Sequence, residues 1–179
     1  MLYTILYIST PSKSFDDKEL QELVTESRDW NRLHGITGFL AYVEGILDGK
    51  TKSQFLQIVE GEKGDIEEVF SIIKADPRHK DLSVLKEGYI KYRKFDSWNM
   101  GFERLHINSN PELEVFFSMN LSMLSEEGDL DNNILFKFMK MFYDQKEQSD
   151  QNVSRFSLKQ YIYSNVLILI SYSSWISWS

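Results

Sequence analysis

The polar side chains able to do chemistry in this sequence lie inside apolar stretches, not on charged faces. Gln57 is the clearest. It sits between Leu56 and Ile58 at the centre of QFLQIVEG (54–61), a short β-branched run that reads as a strand crossing the middle of a sheet. Side chains alternate along a strand, so Phe55, Gln57 and Val59 share one face. A buried amide left without partners costs on the order of 1–3 kcal/mol. Either the core satisfies Gln57 or it is aimed at a bound polar ligand. Tyr7 in a second apolar run, Asn31 at the end of a helical stretch, and Arg78-His79 after Asp76-Pro77 are the other candidates. If two helices pack on one face of the sheet, the cleft between them is bordered by Leu23 and Ile73. Tyr7 and Gln57 then form its floor, and Asn31, Arg78 and His79 its rim. Apolar walls with amides at the border suit a flat heteroaromatic that carries an amide edge. Each residue alone also has a plain structural explanation: a core tyrosine, a helix terminator, a surface cation. The set carries the weight.

Other chemistries find little support. The 179 residues contain no cysteine, which removes disulfides, thiolate zinc sites and cysteine nucleophiles and fits a reducing, cytoplasmic setting. His34, His79 and His106 have no ligand spacing, so no metal site is expected. No GxSxG, P-loop or GxGxxG occurs. A net charge of −7 argues against a nucleic-acid or anionic-membrane surface. The N-terminal residues do not form a signal peptide, and no apolar run reaches the ~18 residues of a membrane span.

Periodicity locates the elements that carry these candidates. Leu2–Ser9 alternates, with Tyr3, Ile5 and Tyr7 on one face, and Thr10-Pro11 ends it. Ser14 and Asp17 resemble a helix start, and Leu20, Leu23, Val24, Ser27 and Trp30 follow helical spacing up to Asn31. Gly35 and Gly38 mark the exit. Phe39–Val43 reads as a second strand, Glu44–Ser53 as a loop, and Gln54–Val59 as the third strand. Asp65 and Glu68 suggest a capping box for a second helix with Ile66, Val69, Phe70 and Ile73 on its apolar stripe, stopped at Asp76-Pro77. Leu82–Lys91 gives a fourth strand, and 93–102 a turn and a fifth. The order is βαββαβ plus one strand: an α+β, ferredoxin-like sheet with two helices on one face. Three regions are expected: a domain over 1–105, a helical cap over 106–149, and an aromatic, Ser-rich tail over 150–179. The amphipathic segments Pro111–Leu124 and Asp131–Tyr143 are expected to cover the opposite sheet face.

With these residues in place, the sequence resembles the BLUF family, the sensors of blue light using FAD. The resemblance rests on Tyr7, Asn31 with His34–Gly38 (HGITG), Phe55–Gly61, Asp76–His79 and Trp98–Phe102 (WNMGF), all in order over roughly 1–105. It implies a non-covalently bound FAD whose ring lies between the two helices. It assigns Tyr7 as the photoactive tyrosine and Gln57 as the switching glutamine. Asn31 is implied to bond the flavin N3–C4=O edge and Arg78 to lie near C2=O, with His79 beside the ring. Leu23 and Ile73 are implied to clamp the ring, and Trp98 and Met100 to form the fifth-strand pair that follows the light state. Electron and proton transfer from Tyr7, followed by a rotamer or tautomer change of Gln57, would redirect a donor to C4=O and shift absorption to the red.

The resemblance implies a photoreceptor of the short type, not an enzyme, that signals to a downstream protein partner; the outer faces of the segments 111–124 and 131–143, with the aromatic tail, are the candidate surface for self-association. Two departures from the family stand out, the long Glu44–Ser53 connection and the tail after Asp150. The alternative is a ferredoxin-like regulatory module that binds another small ligand without photochemistry. A phosphate-cradling hydrolase on the same fold would need glycine or arginine in Thr10–Phe15, which has neither.

Overall fold

The computed structural model describes residues 1–47 and 49–105, with side chains through 98 except Leu47, together with Leu130, Phe136, Lys137, Met139, Lys140, Tyr143 and Asp144. Along the chain run β1 (Leu2–Pro11), α1 (Asp17–Leu33), β2 (Thr37–Leu47), β3 (Lys50–Glu62), α2 (Lys63–Ala75), β4 (His79–Tyr89) and β5 (Trp98–Leu105). The strand order is β4-β1-β3-β2-β5. Every neighbour pair is antiparallel except β2 with β5, which is parallel. This is the expected βαββαβ sheet with a fifth strand.

Strand alternation divides the residues between two faces. Ile5 and Tyr7 of β1, Val59, Gln57 and Phe55 of β3, and Leu40 and Tyr42 of β2 lie side by side in register. Both helices pack there: Leu20 and Leu23 of α1 against Leu40, Tyr42 and Phe55, and Ile66, Val69 and Phe70 of α2 against Ile5, Tyr7 and Val59. The other face carries Leu6, Ile8, Phe39, Ala41, Leu56 and Ile58, all buried. Phe39 meets the ring of Tyr143 edge-on at 6.0 Å, and Phe95 meets Phe136 and Tyr143 at 6.1 and 5.0 Å. Phe136, Met139 and Tyr143 are helical residues at one-face spacing, all three buried, so part of the expected second covering layer is in place at these positions. The segment Pro111–Leu124 and the tail from 150 lie outside the described residues.

Several boundaries differ from those expected. The 44–53 stretch is no loop: Glu44 pairs with Ser53, Gly45 with Lys52, Ile46 with Thr51 and Leu47 with Lys50. Its glycines and mixed charges suggested a loop, but the pairing runs up to Leu47 with Lys50, and Gly49 has a positive φ of +70°, as tight hairpin turns require. Helix α1 is capped by Asp16, not Ser14. The Asp16 carboxylate accepts from Glu19 N–H (2.8 Å) and Glu19 accepts from Asp16 N–H (3.0 Å), while Ser14 bonds Glu44 instead. Helix α2 starts directly from β3 with no side-chain cap, so Asp65 sits in its first turn, where its charge complements the helix dipole. β4 begins at His79 and not at Leu82, because Lys80 pairs with Thr10 and His79 with Pro11, which also carries β1 beyond Ser9.

Candidate functional site

The centre of the helix-bearing face is a tyrosine–glutamine pair. Tyr7 and Gln57 are cross-strand partners, and the phenol donates to Gln57 Oε1. Tyr7 is fully buried, and burial, helped by the negative charge of Asp76, raises its pKa well above the ordinary tyrosine value. The phenol therefore keeps its proton. With Oε1 occupied, the two N–H donors of Gln57 remain for whatever fills the space above the sheet.

That space is a cleft of about 200 Å³ between α1 and α2. Leu23 and Trp30 wall it on one side, Val69 and Ile73 on the other, and Leu40 and Gln57 lie at its floor. Asn31 borders it, 2% exposed, with its Oδ1 buried and without a hydrogen-bond partner. Helical periodicity brings Asn31 there, eight positions after Leu23 on the same face of α1. An orphaned acceptor is costly unless a ligand N–H supplies the bond. A planar ring with an imide N–H fits this set: apolar walls, one unpaired acceptor and one amide with donors to spare.

His79 and Arg78 close the end of the cleft beside Asp76. Burial holds the His79 pKa below the usual histidine value, which favours the neutral ring. Its Nδ1 lies 2.7 Å from Ser9 Oγ, and its ring sits 4.9 Å from that of Phe55. Arg78 spends its donors on carboxylates: Nε on Asp76 at 2.8 Å and a terminal nitrogen on Glu26 of α1 at 3.1 Å. It thus straps the end of α2 to α1 at the cleft mouth.

Leu23, Asn31, Gln57, Ile73, Arg78 and His79 are therefore brought together around one cleft, with Tyr7 beneath it. Trp98 is buried in the same layer, among Leu23, Leu40 and Phe55, but lines a neighbouring cavity with Ile36 and Arg93 and not the cleft itself. Its indole N–H is buried without a partner. Met100 is placed by register, its backbone paired with Leu40. Sequence reasoning missed Ser9, Glu26 and Asp76. The alternation that puts Tyr7 and Ser9 on one face could have signalled Ser9; the other two depend on where α1 and α2 come to lie.

Comparison with known proteins gives a consistent result. Residues 2–101 match the family described as BLUF, sensors of blue-light using FAD. The chain is 31% identical over 101 residues to photoactivated adenylate cyclase subunit beta of Euglena gracilis, a match that takes in 55% of this chain and 11% of that protein. Its fold is similar to the ground state of BlsA (TM-score 0.55, 26% identity, 79% of this chain and 89% of that one). It is also similar to the dark state of the BLUF protein BlrB (TM-score 0.54, 25% identity, 78% and 96%).

Proposed function

The chain belongs to the BLUF family, the sensors of blue light using FAD, and on that premise we propose that Tyr7 and Gln57 form its photoswitch. The protein is a blue-light sensor that binds FAD; the roles of its individual residues, and the output they drive, are the proposal. The observation that supports the assignment is the Tyr7–Gln57 hydrogen bond at the floor of a cleft bordered by the unpaired Asn31 acceptor.

Leu23 and Ile73 would hold the ring between the helices and exclude water, and Asn31 Oδ1 would accept the imide N–H. Arg78 and His79 close the far edge, and the absence of cysteine leaves no thiol for a covalent link. When bound and excited by blue light, the flavin is a strong oxidant. Tyr7, a neutral phenol already donating to Gln57 Oε1, is placed to yield an electron and then pass its proton along that bond. Gln57 can settle as a different rotamer or tautomer, so the amide presents a different donor to the cleft. A dry site matters because water would compete for each of these bonds. Nothing is turned over: the outcome is a changed hydrogen-bond pattern that biases a two-state element.

The cyclase named in the Euglena relative is that protein's activity, since the match spans about a tenth of its length. For this chain the proposed output is contact with a protein partner, carried by Trp98 and Met100 of β5 and by the residues after 105. Residues 1–105 form the sensor, 106–149 a helical cap and 150–179 a tail; a cytoplasmic setting and self-association complete the proposal. A blue-light-minus-dark absorption spectrum of the protein as purified tests the core of it. A small reversible red shift of a flavin spectrum is expected, and denaturation should release all of the flavin as free FAD. A colourless protein, or flavin bands that light leaves unmoved, would overturn the assignment.

A further inference from the structure

We propose that Glu60 is a positioning residue for the switch: it anchors the 93–97 loop and so sets how deeply Trp98 is held beside the flavin cleft. The inference rests on the proposed occupation of that cleft by the flavin. Glu60 lies on β3 three residues after Gln57, so its side chain leaves the opposite face of the sheet. It is fully buried. Taking a carboxylate out of water is costly unless strong donors replace the water, and an apolar residue would fill the same space without that penalty. The acceptor role is therefore what the fold uses.

The Thr37 hydroxyl of β2 donates to Glu60 Oε2 at 3.4 Å, and the backbone donors come from the segment leading into β5. Glu60 Oε2 accepts from Lys94 N–H at 2.9 Å and Phe95 N–H at 3.3 Å. Arg93 ties the same segment down from outside, donating to Gly35 O (2.7 Å), Thr37 Oγ1 (2.8 Å) and the backbone oxygen of Glu60 (2.8 Å). Two residues on, Ser97 O accepts from Gly38 N–H (3.1 Å), and Trp98 then pairs with Gly38. The loop's anchored amides thus stand three and four residues from the Trp98 backbone. Among the described residues the indole N–H has no hydrogen-bond partner, and the ring packs against Leu23, Leu40 and their neighbours. Its depth is set by where the loop delivers it. Burial pushes the Glu60 carboxyl pKa up, with the two backbone N–H groups and Arg93 opposing that rise.

A double-mutant cycle on the flavin-loaded protein tests this, reading the half-life of the red-shifted state after a blue flash. Glu60→Ala and Glu60→Gln are each made with Trp98 present and with Trp98→Phe. Releasing the loop admits water beside the switch, so Glu60→Ala should shorten the half-life about threefold or more, whereas Glu60→Gln, which keeps an acceptor, should stay within about twofold of wild type. In the Trp98→Phe background the effect of Glu60→Ala should fall below about twofold. A merely structural role would lower the melting temperature in both backgrounds without this loss of effect on the half-life. No shortening with Trp98 present, or equal shortening in both backgrounds, overturns the proposal. Should Glu60→Ala fail to fold, Arg93→Gln loosens the same loop from the exposed side and is read by the same outcomes. If the wild type shows no red shift at all, the functional reading fails instead. Loop anchoring is then judged from the emission difference between each protein and its Trp98→Phe counterpart, which should move to longer wavelength in Glu60→Ala; an unmoved difference refutes it.

Discussion

Tyr7 and Gln57 differ from the other buried polar residues because their hydrogen bond leaves the amide with unused donors beside an open cleft. Tyr7→Phe keeps the ring packed against Phe70 but removes the transferable proton and makes the ring harder to oxidise. FAD should still bind and the dark spectrum should barely change, but no stable red-shifted state should form under blue light. Gln57→Leu should abolish the shift by a different route, leaving the donor but no group able to change its bond. A lasting red shift in either variant, seen by difference spectroscopy, would remove that residue from the switch. Asn31→Ala deletes the unpaired acceptor and should weaken flavin retention by a factor corresponding to about 1–3 kcal/mol, read as flavin released on dilution. His79 predicts a pH effect. Its folded pKa lies below the ordinary 6.5, so between the two values the unfolded chain binds a proton that the folded one does not. Stability is therefore full above pH 6.5 and is lost as pH falls through the window below it. His79→Gln should flatten that limb of the melting-temperature profile.

At the scale of elements, the two sheet faces have separate tasks that meet in the short segment before β5. On one side that segment delivers Trp98 to the helix layer; on the other, Ser97 N–H donates to the Tyr143 hydroxyl at 3.1 Å. Tyr143→Phe keeps the edge contacts with Phe39 and Phe95 but loses this bond. The melting temperature should fall by only a few degrees, about 1 kcal/mol in a chain of this size, with the red shift intact. Loss of the red shift would mean that Tyr143 acts on the flavin side of the sheet. β2 and β3 also meet closely: a Cβ at Gly38 would come within 2.1 Å of Ile58 O, at a φ of +147°. Gly38→Ala should therefore prevent accumulation of folded protein; a soluble, yellow variant would show that β2 can move away from β3.

At the scale of the molecule, the acidic surface expected from a net charge of −7 gives no general attraction to nucleic acid. The aromatic C-terminal region is the expected contact surface. Light scattering should return a mass above the 21.1 kDa of one chain; a strictly monomeric protein in dark and light would leave signalling to a different partner alone.

Much of the site was legible because strand and helix periods are local. Alternation places Tyr7 on one face of its strand and Gln57 on one face of another, and helical spacing brings Asn31 near Leu23; a resemblance carried by five ordered motifs supplied the ligand. Boundaries were less legible where local signals competed. Ser14 followed by Asp17 resembled the start of α1, whereas the reciprocal bonds with Glu19 make Asp16 the cap. The 44–53 charges looked like a loop although cross-strand pairing makes a hairpin of them. Relations between residues far apart in sequence emerged only from the folded chain. Glu60 sits in a motif beside Gly61, yet its partners are amides 34 and 35 residues later. Arg78 is tied to Glu26 across 52 residues. No local period encodes such contacts, because they depend on sheet order and on where each helix lands, and both are set by burying the two faces of the sheet together.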